Sequence, residues 1–129
     1  MLRTKSILAP KESYDGLRIS VMSRHTLNDG ITPDIRITED LFDEWKKEFA
    51  PPLKLLGNYY KRNLLWENFE IKYLNYLESI YNEVSNLAKK AIQENITLLC
   101  VEESPKRCHR RLLAEECKRI KPRLEILIN

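Results

Sequence analysis

The sequence predicts an α/β domain in which a small, mainly parallel sheet is flanked by helices, and three observations lead there. Residues Ile96 to Val101 are apolar at every position except Thr97, the pattern of a strand covered on both faces and so central in a sheet. Leu17 to Met22 and Arg123 to Ile128 alternate apolar and polar residues around Ile and Val, as half-buried strands do. Long helix-periodic stretches separate the three strands, and a helical crossover brings the chain back in the same direction, which makes the strands parallel. The length, 129 residues, suits one domain over 1–129 with a core of its own.

The elements follow in order. Tyr14-Asp15-Gly16 reads as a turn into the first strand, 17–22. Ser23 to Thr38 carries Asn28-Asp29-Gly30 and Thr32-Pro33-Asp34 and reads as a loop, long enough in so small a chain to suggest a functional one. Thr38 with Glu39 and Asp40 resembles a helix cap, and Leu41, Phe42, Trp45 and Phe49 then predict a helix that stops at Pro51-Pro52. A short helix is expected over Leu53 to Lys61. A longer helical stretch runs from Trp66 to about Glu94, interrupted near Glu78-Ser79. Its Trp, Phe and Tyr stripe is expected to be core. The strand 96–101 should have helices as its covering layers, His109 to Ile120 is the last helix, and 123–128 is the last strand.

Composition excludes several classes of function. Gly16, Gly30 and Gly57 stand far apart, so there is no glycine-rich phosphate cradle, and no cofactor is expected. Three cysteines are too few for a four-thiolate zinc ribbon and odd in number for a disulfide scaffold. No apolar run reaches the ~18–20 residues of a membrane span, and the N-terminal residues lack the features of a signal peptide, so a cytoplasmic protein is expected. The net charge of +3 is too small to imply a nucleic-acid partner. It is uneven, however: residues 100–129 are basic on balance and 26–60 acidic.

The densest chemistry lies in Cys100-Val-Glu102-Glu103-Ser104-Pro105-Lys106-Arg107-Cys108-His109-Arg110-Arg111, at a strand end and a helix start. The ligand crevice of a parallel sheet lies beyond the carboxyl ends of its strands, and two loops lead there, 23–38 and 102–107. Ser104-Pro105 could open a helical turn whose free N–H groups, with Arg107 and Arg110 and with Arg24 from the other loop, would receive a phosphate or carboxylate. With Leu113 at the middle of the buried helix face, His109 and Arg110 fall within about 60° of it, whereas Cys108 and Arg111 lie more than roughly 130° away. Arg111 is then a solvated charge and Cys117 an inert core thiol.

Cys100 and Cys108 are the candidate nucleophiles, His109 the candidate acid or base, and Arg24, Glu102, Arg107 and Arg110 the candidate substrate-binding residues. A metal centre from Cys100, Cys108, His109 and His25 fits by ligand type, but the surrounding arginines would repel a cation, and no metal is expected. A phosphatase-type loop fails on spacing, since neither cysteine is followed six residues later by Arg. The competing reading is a nucleotide- or nucleic-acid-binding module, in which Tyr59 and Tyr60 beside Lys61 and Arg62 would join the 106–111 cluster. An anionic small molecule is the favoured partner.

These residues also resemble a known family, the YeaO-like proteins of domain of unknown function 488. The likeness rests on Asp15-Gly16-Leu17-Arg18-Ile19-Ser20-Val21, Ser23-Arg24, Trp45-Lys46-Lys47-Glu48, Ala50-Pro51-Pro52, Phe69 with Tyr73, and Thr97 to Glu102 running on to Pro105 and Cys108-His109-Arg110. It implies an α/β fold and directs attention to Arg24, Cys100, Glu102, Cys108, His109 and Arg110. It implies no particular activity, because the family is uncharacterised.

Overall fold

A computed structural model describes residues 1–129. Five strands, β1 (Leu2–Ser6), β2 (Leu17–Ser20), β3 (Glu44–Trp45), β4 (Ile96–Cys100) and β5 (Ile126–Ile128), form one all-parallel sheet in the order β3-β2-β4-β1-β5. The helices are α1 (Leu53–Lys61), α2 (Trp66–Ser79), α3 (Tyr81–Gln93) and α4 (His109–Ile120). The expected strands at 96–101 and 17–22 stand, with β4 central, and the expected break near Ser79 is the junction of α2 and α3.

Three expectations change. The N-terminal segment forms β1, which lies between β4 and β5 and was not foreseen. The last strand is shorter than 123–128. The helix expected from Thr38 to Phe49 does not form: two 3-10 turns, Glu39–Leu41 and Lys47–Phe49, flank the two-residue edge strand β3.

Strand register explains the layers. Leu2 and Leu17 pair with Ile96, so alternation places Leu2, Ile19, Val21, Ile96 and Leu98 on one face. These residues join Leu55, Phe69, Tyr73, Leu77, Val84, Ala88, Leu113 and Cys117 in a single core, so all four helices cover that face. The opposite face carries Lys5, Arg18, Ser20, Thr97 and Leu99, all buried. Irregular chain covers it: Ile37, Leu41 and Phe42 pack over Leu99, and Asp15 is buried against Lys5 and Arg18. The prediction that helices cover both faces of β4 therefore fails on this side.

Handedness accounts for the division. The chain steps toward β3 in its first two connections, β1 to β2 and β2 to β3, and steps back in the other two. If every crossover is right-handed, the two directions must use opposite faces. The first two connections, 7–16 and 21–43, form no α-helix; the other two contain all of them.

Candidate functional site

The two kinds of connection part beyond β2 and β4, where the outgoing chain leaves toward opposite faces. This is the switch point at which open parallel sheets place ligands. Cys100 ends β4 there. Between Cys100 and α4 the chain turns back on itself: Ser104 Oγ accepts the Lys106 N–H at 3.2 Å and the Cys108 N–H donates to Pro105 O at 3.2 Å. Ser104-Pro105 thus opens a tight turn and not a helix. The helix starts at His109, with Cys108 as its N-cap in extended conformation, φ −137° and ψ 137°. That conformation corrects the expectation for Cys108. A residue outside the helix does not follow its 100° spacing, and Cys108 turns inward to 2% exposure.

Cys100, Cys108 and His109 come together, their donor atoms all within 4.8 Å of one another and all three side chains buried. His109 Nε2 lies 2.7 Å from Val21 O. A carbonyl only accepts, so Nε2 carries the proton and, in the neutral ring, Nδ1 presents its lone pair. Nδ1 faces Cys100 Sγ at 4.0 Å. The Tyr73 ring packs edge-on against the imidazole, 5.6 Å between centroids, and is itself fixed by its hydroxyl on Phe49 O. The Cys108 thiol is pushed well up from the usual cysteine range, first by its hydrogen bond with Cys100, then by burial and by the charge of Cys100, against a lowering pull from His109. Two negative sulfurs so close would repel, which helps to keep the proton on Cys108.

Arg110 is fully buried and faces inward as expected, yet its guanidinium is engaged by the protein. Nη1 donates to Glu102 O at 2.7 Å, and Nη2 to Glu103 O and Asn129 O at 3.2 Å each. Nη1 also stands 3.4 Å from Cys108 Sγ. No carboxylate side chain pairs with it, and its Nε has no partner. Arg111 is not the free solvated charge expected, since it donates to Pro105 O, Lys106 O and Glu115 and holds the turn on the helix.

The other predicted residues are more scattered. Glu102 is half-buried, and its carboxylate accepts the Tyr60 hydroxyl at 2.9 Å. Burial, the Glu102 charge and this hydrogen bond all raise the Tyr60 phenol above its ordinary range. Arg24 and Arg107 are exposed and make no side-chain hydrogen bond; the Arg24 guanidinium lies against Gly30 in its own loop. His25 is not part of the cluster. It bonds Ser20 Oγ at 2.7 Å and stacks on Trp45 at 3.9 Å, and burial followed by the charge of Lys47 lowers its pKa. Tyr59 packs against Trp66 and Phe69, which leaves Tyr60 as the exposed tyrosine of that segment. Cys117 is core, its thiol pushed up to about 12 by burial and by the charge of Glu116.

Sequence reasoning missed the Val21 carbonyl, the Tyr60–Glu102 bond and the carbonyl partners of Arg110. The first and last involve main-chain atoms, which carry no residue-type signal. Tyr60 did have one, as an aromatic near the end of a helix leading toward the sheet. A cavity of about 710 Å³ near Lys89, Ile120 and Arg123 lies at the opposite ends of α3 and α4 from the thiols.

Fold and site together define a parallel α/β protein with a closed Cys₂His cluster at the carboxyl edge of its central strands. The family model of the active DUF488-N3 subclade, DUF488-N3a, matches residues 2–120, and the chain belongs to that family. No curated protein and no solved structure matches it.

Proposed function

We propose that the protein is an enzyme whose chemistry centres on a thiolate of the Cys100/Cys108 pair, with His109 carrying the proton. The observation that supports this most is the orientation of His109, whose Nε2–H is fixed on Val21 O so that Nδ1 is turned to the thiols. A base held by a third group beside a nucleophile is the working unit of covalent catalysis. In that role His109 takes the thiol proton, the sulfur lone pair forms a bond to the electrophilic atom of the substrate, and the leaving group departs with the bonding pair and receives the proton from the imidazolium. The α4 N-terminus assists, because the His109 and Arg110 amides have no hydrogen-bond acceptor within the protein and the helix dipole favours negative charge there.

The substrate is then a small electrophile bearing an anionic group, with Arg107 and Arg24 as its exposed cationic contacts. Arg110 is a positioning residue, since its fork is filled by carbonyls. Both thiols are free, and the chemistry belongs to a reducing compartment such as the cytoplasm.

Alkylation by iodoacetate and iodoacetamide, followed site by site by mass spectrometry, tests the reading. The ratio of iodoacetate to iodoacetamide rates at Cys100 or Cys108 is expected to exceed that of the urea-unfolded chain. His109→Gln, which keeps an N–H for Val21 O and removes the base, should slow alkylation at pH 7 by about 100-fold. An unchanged ratio, or rates indifferent to Cys100→Ser and Cys108→Ser, would refute it.

A further inference from the structure

The three donors that serve a thiol mechanism are also a complete set for a soft metal ion. Cys100 and Cys108 supply two sulfurs and His109 Nδ1 a nitrogen, all within 4.8 Å of one another. Around one ion with metal–sulfur bonds of about 2.3 Å and metal–nitrogen bonds of about 2.0 Å, a flat three-coordinate arrangement separates sulfur from nitrogen by roughly 3.8 Å. Cys100 Sγ and His109 Nδ1 already stand 4.0 Å apart.

The surrounding shell is also of the kind that metal ligands have. A ligating imidazole characteristically donates its remote N–H to a carbonyl, as His109 does to Val21. Arg110 Nη1 is aimed at Cys108 Sγ from 3.4 Å. Ile7, Met22 and Leu99 wall the sulfurs, which excludes the water that a hard cation would keep. The one nearby carboxylate, Glu102, is engaged by Tyr60.

Coordination decides which ion fits. Three donors in a pocket walled by Ile7, Met22 and Leu99 leave a zinc-type dication one ligand short of the four it takes in a closed site, whereas three-coordination is sufficient for a soft monocation, for which thiolate and imidazole are the preferred donors. Two thiolates with a monovalent ion make a core of charge −1, and the buried Arg110, with Nη1 3.4 Å from Cys108 Sγ, stands beside it. We propose that Cys100, Cys108 and His109 form a three-coordinate Cu(I) site with Arg110 beside its thiolates.

This inference does not rest on the catalytic reading. Metal capture needs two sulfurs and a lone pair, whereas catalysis needs one sulfur and a route for substrate, and the two uses exclude each other at any moment. The test is anaerobic titration of the reduced full chain with Cu(I) against a chromogenic Cu(I) chelator. One Cu(I) per chain is expected, with a sulfur-to-copper absorption band in the near ultraviolet and protection of Cys100 and Cys108 from alkylation. Cys100→Ser and Cys108→Ser should each weaken binding by roughly 100-fold or more, and Cys117→Ala should leave it unchanged. Absence of a one-to-one complex in the unmodified protein would overturn the proposal, as would full affinity in Cys100→Ser, or Zn(II) held more tightly than Cu(I). Alkylation that depends on His109 in a protein that takes up no Cu(I) would remove the metal site and leave the thiol mechanism standing.

Discussion

Arg110→Lys separates a clamp from a ligand-binding arginine. The substitution keeps the buried positive charge and removes the planar fork. In the native protein the fork donates to Glu102 O at 2.7 Å and to Glu103 O and Asn129 O at 3.2 Å, which ties the chain after β4 to the chain after β5. Hydrogen bonds from a charged donor contribute about 1.5–3 kcal/mol each, and the two longer ones belong at the low end. An ammonium group, which reaches less far than the guanidinium, can replace one of the three contacts, leaving two main-chain oxygens without their donor. The expected loss is about 3–5 kcal/mol, a large part of the roughly 5–15 kcal/mol that holds a domain together. For a chain of this size that is a fall in Tm of about 10–20 °C. Urea titration followed by circular dichroism measures it, with an unchanged m-value as the sign that both states keep their character. If Arg110→Lys unfolds within about 0.5 kcal/mol of the native protein while losing affinity for an anionic ligand, Arg110 is a substrate contact and the clamp assignment is wrong.

Asp15→Asn should cost about 3–5 kcal/mol, because Lys5 and Arg18, both buried, would lose the carboxylate they share. Burial raises the Asp15 pKa, but hydrogen bonds from the Glu12 N–H, Lys5 and Arg18 and the charge of Lys5 outweigh it, and the net shift is downward. Its contribution is therefore full above the unfolded carboxyl value, near pH 4, and is lost as pH falls through the lower folded value; Asp15→Asn should flatten that limb of the stability profile. Gly16→Ala should cost about 3 kcal/mol or more in the same urea assay, since Gly16 has φ +64° and an added Cβ would stand 2.1 Å from Asn95 O; a loss under about 1 kcal/mol would mean that the turn can relax. Tyr60→Phe removes only the bond to Glu102 from a largely exposed side chain. Stability should stay within about 0.5 kcal/mol, while Cys100 and Cys108 become alkylated roughly 5-fold faster, the factor for a lost hydrogen bond of about 1 kcal/mol; no acceleration would show that this bond does not guard the thiols.

What could be read from the sequence depended on whether a segment's apolar residues all serve one surface. In α1, α2, α3 and α4 they do, and the periodicity is clean; β4 is legible for a different reason, an unbroken apolar run that fills both faces of the sheet. Between Thr38 and Phe49 they do not. Leu41 and Phe42 pack on the loop-covered side of the sheet, while Phe49 enters the helical core, so spacing that resembles one helical face belongs to two separate layers. β1 was hidden for a related reason. Arg3 and Lys5 interrupt its apolar pattern, and what makes Lys5 tolerable in a buried strand is Asp15, ten residues on in another element. The site divides in the same way. His109 and Arg110 were legible as inward-facing because they lie within α4. Cys108 was misplaced because the helix begins one residue after it.

The chemistry of the Cys-His-Arg segment follows from where the parallel sheet ends. A strand's last carbonyls lose their ladder partners, and each must find another donor. Past β2, Val21 O accepts from His109 and Met22 O from the Trp45 indole; past β4, Glu102 O and Glu103 O accept from Arg110; past β5, Asn129 O accepts from Arg110 as well. Two consecutive residues at the start of α4 thus cap three strand ends. The same bonds set the direction of each side chain: fixing Nε2 of His109 on one strand end turns Nδ1 toward the gap between β2 and β4, and fixing the Arg110 fork on the others leaves positive charge beside Cys108. Cys100 and Cys108 occupy that gap. A free imidazole nitrogen, a buried guanidinium and two thiols are therefore consequences of one capping arrangement, and any ligand of this site must exploit a constellation that the ends of the sheet hold in place.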